Sequence, residues 1–302
     1  GADAATEVAG LMDAQLYPPQ SLFRKGDNEV IFLASSHSGI LRLARPVHII
    51  AIGAAVSMTD SILRRYWPSL LSLGLFLLGS MYFGVLAVRS AQRRRALILS
   101  AIFGFATAQL TTEVLRGLVA YPYPVHDIRL ILIAVFSFGF GMTVLLHVLF
   151  AFRSKNVAAT MMLAAITSVI GVPFASGFDT KAAVVMVVPL LVGLIVTAYW
   201  IFRRQGPALR YFMSLLAFVI TIWIFPGLFL DVIFFYFVSA FLLFLLIEEA
   251  LISTKEAAKL RIEEARANKL ELALELASER KTTSVVIVKT SGRMEHIAID
   301  QI

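Results

Sequence analysis

The chain has 302 residues, of which 59% are hydrophobic and only 16% charged, and its mean hydropathy is +0.81. A soluble domain carries about 25% charged residues, so a water-soluble globule is excluded as the body of the protein. The absence of cysteine excludes disulfides, thiol catalysis and cysteine-ligated metal. The net charge of +7 is concentrated in residues 60–247, which hold 14 Lys/Arg against 5 Asp/Glu. These charges fall at the ends of apolar stretches, not along one face, which argues for a role in membrane orientation over a nucleic-acid patch.

Residues 1–59 are expected to be an extracellular segment with partial β structure. The start, Gly1-Ala2-Asp3, looks processed, as if a signal peptide had been removed. Lys25-Gly26-Asp27-Asn28 is a turn signal, and Asn28–Ser35 reads as a strand after it. Val47–Ile52 is a second candidate strand. Two isolated strands are marginal in water and need a partner surface.

Residues 60–249 predict a seven-transmembrane helix bundle. About 20 apolar residues cross a bilayer as a helix, and the stretches 66–88, 96–116, 128–152, 157–174, 182–202, 209–225 and 228–249 fit that length. The loops after the first, third and fifth spans hold nine basic residues: Arg89, Arg93–Arg95, Arg153, Lys155, Arg203, Arg204 and Arg210. The opposite loops hold three, Arg116, Arg129 and Lys181. Basic loops stay in the cytoplasm, so the N-terminus is expected outside and the C-terminus inside, in a bacterial inner membrane. Arg64 and Arg65 run against that rule. Tyr66, Trp67, Tyr121, Tyr123 and Trp223 fall near the outer boundary, and Tyr199, Trp200 and Tyr211 near the inner one, where aromatic belts form.

Polar groups at membrane depth are costly without a role, so they are the candidate ligand-binding residues. Gln109, Thr112, Glu113 and Arg116 recur at helical spacing and share one face of the second span. Asp127 and Arg129 face them across a short loop, and Asp179, Lys181 and Asp231 lie at other outer ends. Together they would line an outward pocket for a small polar or zwitterionic ligand; the competing expectation is snorkelling with local salt bridges. His37, His48, His126, His147 and His296 show no metal-ligand spacing, and His147 reads as a packing histidine. No enzymatic motif, cofactor site or metal site is found, so no catalytic activity is expected. Residues 228–247 carry no Lys for a retinal Schiff base.

Residues 250–281 are expected to form a cytoplasmic coiled-coil helix, since no Gly or Pro occurs between Glu248 and Arg280. Ala258, Ile262, Ala265, Lys269, Leu272 and Leu276 follow heptad spacing and form a weak dimer seam. From residue 282 the period changes. Ser284–Thr290 is a β-run, Ser291-Gly292 a turn, and His296–Ile302 a second strand, a stub too small to bury a core.

Val285–Ile302 resembles the opening of a LytTR-type DNA-binding domain, with its strand, Gly turn and closing Asp300-Gln301-Ile302. The membrane half resembles bacterial seven-transmembrane receptors with diverse intracellular signalling modules, whose extracellular domain ends in a turn similar to Gly26-Asp27-Asn28. The resemblance implies a homodimeric membrane-bound transcription regulator that reaches DNA through an output domain absent from this chain. Its partners would be the lipid bilayer and a small ligand or membrane protein. The alternative is a small-solute transporter with a regulatory tail, although Pro173, Pro189 and Pro226 do not fall in matched halves. The expected fold is all-α, a seven-helix bundle with a short extracellular β segment, a coiled-coil helix and a truncated β stub.

Orientation can be tested with single cysteines in this Cys-free chain. A Val125→Cys variant should be labelled from outside intact cells and Ser90→Cys should not; the opposite pattern inverts the topology.

Overall fold

The computed structural model describes residues 3, 5–8, 10, 16–32, 37, 39–41, 58–89, 93–119, 121–224, 234–282, 285–290 and 292–298. The candidate strand Val47–Ile52 and the candidate ligand residue Asp231 lie outside the described residues, as do the first residues of the 228–249 span. The chain divides into two compact units, Gly1–Leu242 and Leu243–Ile302.

The first unit contains α1 (Met58–Arg89), α2 (Arg93–Leu118), α3 (Tyr123–Ala151), α4 (Val157–Gly171), α5 (Phe178–Phe202) and α6 (Ala208–Ile224). A seventh helix, α7 (Phe234–Thr282), begins in it and continues into the second unit. Among the described residues six helices are long and apolar enough to cross a membrane, and α6, with 17 residues, is shorter. The body of the chain is therefore helical, with the make-up of a multi-pass membrane protein.

Lipid is as apolar as leucine, so helices in a membrane gain little from apolar burial and rely on close contact between small residues. α1 and α2 follow that rule. Ser80 donates its hydroxyl to the Ser100 carbonyl at 3.3 Å, and Ser100 returns the bond to the Ser80 carbonyl at 3.0 Å. Gly84 and Gly104 stand one turn further along each helix, each against the opposing serine hydroxyl. The Phe103 ring fills the space that a side chain at Gly79 would take, and the Phe105 ring does so at Gly139. α3 meets α5 backbone to backbone: a Cβ on Gly141 would lie 2.7 Å from the Met186 carbonyl oxygen. Around that contact Leu145, Leu149 and Ala164 form a buried cluster joining α3 to α4. Phe140, Phe218 and Phe241 form an aromatic triad that ties α3, α6 and α7.

α3 and α5 end alike. The Ser154 amide donates to the Leu149 carbonyl and Arg153 to Phe150; Gln205 donates to Trp200 and Arg204 to Ile201. This is the Schellman closure, whose left-handed position usually falls to Gly. Here Arg153 (φ 49°) and Arg204 (φ 55°) occupy it.

The N-terminal segment departs from expectation. The turn at Lys25–Asn28 is present, with Gly26 at φ 108° and the Asn28 side chain bonded to both the amide and the carbonyl of Arg24. Residues 28–32 of the predicted strand are instead irregular and exposed, and residues 33–35 lie outside the described residues. Among the described residues no neighbouring strand completes the backbone bonds of this apolar run, and a lone strand does not hold. Near the start, the Asp3 carboxyl accepts bonds from the Thr6 hydroxyl and amide, which hold it below the ordinary carboxylate range.

In the second unit α7 is exposed at every position from 253 to 278, so all six seam residues face solvent in a single chain. The hairpin β1 (Val285–Thr290) and β2 (Arg293–Ala298) pairs antiparallel, from Val285 opposite Ala298 to Thr290 opposite Arg293. Gly292, at φ 90°, supplies the left-handed turn residue such hairpins require. The second strand starts at Arg293, three positions before the expected His296.

Gly141→Ala should destabilise the detergent-purified chain by about 1–3 kcal/mol, because the backbones of α3 and α5 must separate. Gly74→Ala, where a Cβ meets open space, should be neutral or mildly stabilising. Equal melting temperatures for the two variants would refute the close α3–α5 contact.

Candidate functional site: a polar cluster at the α2–α3 junction

Where α2 ends and α3 begins, charged side chains are buried side by side. Thr112 and Glu113 occupy the inner face of the last turns of α2, and Tyr123–Arg129 form the first turns of α3, started by Pro122 and Pro124. A proline in the first turn costs no helix bond and presets the backbone angle.

Arg129 joins the two helices. Its Nη2 lies 2.8 Å from Glu113 Oε2, with only 4% of the arginine and 14% of the glutamate side chain exposed. Its Nε–H donates to the Thr112 carbonyl at 2.8 Å and its Nη2–H to the Glu113 carbonyl at 3.2 Å. The guanidinium thus neutralises a carboxylate and donates to two successive carbonyls within the last two turns of α2. This pair is largely buried within the helices.

Asp127 makes a different contact. It is fully buried, and its Oδ2 accepts the amide N–H of Ile40 at 2.6 Å and of Leu41 at 2.9 Å. Gly39 sits against the same carboxylate and the Tyr123 ring: a Cβ there would lie 3.5 Å from Asp127 Oδ2 and 3.5 Å from Tyr123 Cε1. The Tyr123 amide donates to the Gly10 carbonyl at 3.0 Å. Two parts of the N-terminal segment therefore lie on the first turn of α3. One of them, the strap Gly39–Leu41, is tied to the other by Glu7, whose carboxylate accepts the His37 amide at 2.9 and 3.1 Å. Below the strap, His126 stacks on Tyr121 with centroids 6.3 Å apart and lies 6.0 Å from the Tyr123 ring.

Several buried polar atoms have no partner among the described residues: Asp127 Oδ1, Tyr123 Oη, Gln109 Oε1 and Ser137 Oγ. Gln109 is buried one turn deeper on α2 than Glu113. The hydroxyl of Thr112 bonds back to the Ala108 carbonyl at 2.7 Å. Arg116 is half-buried in the last turn of α2. Asp179 is exposed in the first turn of α5, and Lys181 holds its ammonium 4.8 Å from the Phe178 ring centroid.

The structure thus unites Thr112, Glu113 and Arg129 directly, while Asp127, two residues earlier on α3, bonds the backbone of Ile40 and Leu41. Residues missed from the sequence are Gly39, Ile40 and Leu41, which act through backbone amides and carry no side-chain signature. Tyr121 and Tyr211 also depart from the aromatic-belt expectation, because both are buried. Tyr121 lies on His126, and Tyr211 hydroxyl bonds His147 Nε2 at 3.2 Å, which makes His147 a satisfied packing residue. Among the described residues no cluster of three or more acidic or imidazole side chains could hold a metal ion.

No protein-family model, curated protein or solved structure shows a significant match to the chain.

Removing one partner of a buried ion pair costs about 3–5 kcal/mol, and replacing both with apolar residues costs far less. Arg129→Met and Glu113→Leu should therefore each lower the melting temperature strongly, and the double variant should regain part of the loss. Neutral single variants would show that the pair carries no stability.

Proposed function

We propose that the chain is a membrane signal receptor, oriented N-terminus outside, that passes a signal through its last span and rod to a DNA-binding output domain beginning at the β1–β2 hairpin. The observation that carries this reading is α7, one unbroken helix of 49 residues whose first turns are apolar and whose later turns are charged. Across 234–282 there is no Gly or Pro at which a rotation or a shift would be absorbed. A movement imposed at one end of a stiff helix reaches the other.

The polar cluster supports the input end. A buried Glu–Arg pair and a buried carboxylate in a membrane protein are expensive, and such groups cluster where function needs them. The strap links a segment outside the helices to the first turn of α3, which gives an external ligand or protein partner a place to act. Coupling between input and output requires that the signal bind the two arrangements with different affinity.

The rod supports a homodimer. Ile262, Leu272 and Leu276 are each more than half exposed in one chain, and burying such a side chain is worth roughly 1.5–3 kcal/mol. Two bundles held in one membrane raise the local concentration of a seam too weak to pair alone. Lys269 in the seam would fix register at some loss of stability.

In native membranes, Ala265→Cys should crosslink between chains, and the adjacent outward Glu264→Cys should not. The purified wild-type chain in sealed liposomes should carry no solute. Absence of crosslinking at every seam position together with saturable uptake would replace the receptor with the transporter.

A further inference from the structure

We infer that Asp127, Tyr123 and the neighbouring Tyr121–His126 rings form a recognition site for a small primary ammonium group, and that the Gly39–Leu41 strap competes for the same carboxylate.

The inference begins with charge. Asp127 is fully buried, and no cation among the described residues pairs with it. The nearest guanidinium in sequence, Arg129, is committed to Glu113 and to two carbonyls. Asp127 is held by two neutral amides, both on Oδ2, and Oδ1 has no partner among the described residues. Among these residues the buried carboxylate has neutral donors and no counter-charge, and buried charges are ordinarily paired.

Geometry then narrows the ligand. Tyr123 Oη is a second buried oxygen without a partner. Carboxylate and phenol ring both touch Gly39, so they border one small volume. An alkylammonium carries one positive charge and three N–H donors: in the place of the strap amides one can meet Oδ2, another can meet the phenol oxygen, and the charge answers Asp127. The rings of Tyr121, His126 and Tyr123 lie within 6.3 Å of their neighbours, and aromatic faces attract cations. A metal ion fits less well, since among the described residues no third acidic or imidazole ligand joins the group.

The strap imitates such a ligand. Two successive amide N–H groups on one carboxylate oxygen reproduce its hydrogen bonds without its charge. A true cation would add the Coulombic part and release Ile40 and Leu41. The signalling consequence rests on the receptor reading; the binding does not.

The test uses the whole purified chain in nanodiscs and hydrogen exchange at the Ile40 and Leu41 amides. Ethylammonium chloride is compared with sodium chloride at equal ionic strength. A bond to a charged acceptor is worth enough that its loss should raise exchange roughly tenfold or more. Ethylammonium should produce that rise in the wild type, and sodium should not. Asp127→Asn keeps a carbonyl oxygen for both amides and loses the charge, so its amides should stay protected in both salts. Equal exchange of the wild type in the two salts overturns the site, as does an undiminished ethylammonium response in Asp127→Asn. Should that variant fail to fold, Tyr123→Phe decides: a weaker response supports the site and an unchanged one overturns it. Strap release by ethylammonium with no change in Ala265→Cys crosslinking would keep the site and count against the receptor.

Discussion

The register of α2 against α3 depends on one guanidinium. Arg129 is held by a carboxylate and by two successive carbonyls of the opposing helix, so it cannot slide along α2 without giving up three bonds at once. Arg129 is only 4% exposed, so water has little access to replace such bonds. Everything at this end follows from that fixed position. Asp127 lies half a turn earlier on α3 and is carried to the place where the strap crosses. Glu113 is turned toward α3, and Gln109 is buried one turn deeper. Deeper along the same pair of helices, Gly139 admits the Phe105 ring, a contact that needs the same register.

Much of this was legible in the sequence, and what was not has a physical reason. The spacing of Gln109, Thr112, Glu113 and Arg116 put them on one face, and the shortness of the loop put Arg129 opposite. A charged pair in an apolar setting is conspicuous in a list of letters. The anchor of Asp127 was hidden because its partners are main-chain amides, which every residue but proline possesses. The tyrosines misled for a related reason. A belt tyrosine and a core tyrosine differ only in whether a partner waits inside, and for Tyr211 that partner is His147, 64 residues away. The strand expected at Asn28–Ser35 was read from side-chain composition, whereas a strand is held by a neighbour. The unbroken length of α7 was legible because helix continuity is set locally, by the absence of Gly and Pro. Its seam was legible only as a pattern, since pairing needs a second chain.

The arginines that close α3 and α5 carry two requirements in one position. A left-handed residue favours glycine, and any other L-residue there costs roughly 1–2 kcal/mol. Arg153 and Arg204 accept that strain at the ends of two helices that both belong to the side with the excess of positive charge. A glycine would ease the backbone and remove one of the basic charges gathered at these loops.

The bond between Ile40 and Asp127 joins residues 87 apart, and that separation sets an order of assembly. Chains emerge at about 5–20 residues per second, so the hook follows the strap by roughly 4–17 s. During that interval the strap has no anchor on α3, and its contact cannot belong to any early nucleus. Contacts made late in folding govern chiefly how fast the finished state comes apart. The Asp127 latch is therefore expected to act on the lifetime of the closed end far more than on the speed with which the helices assemble.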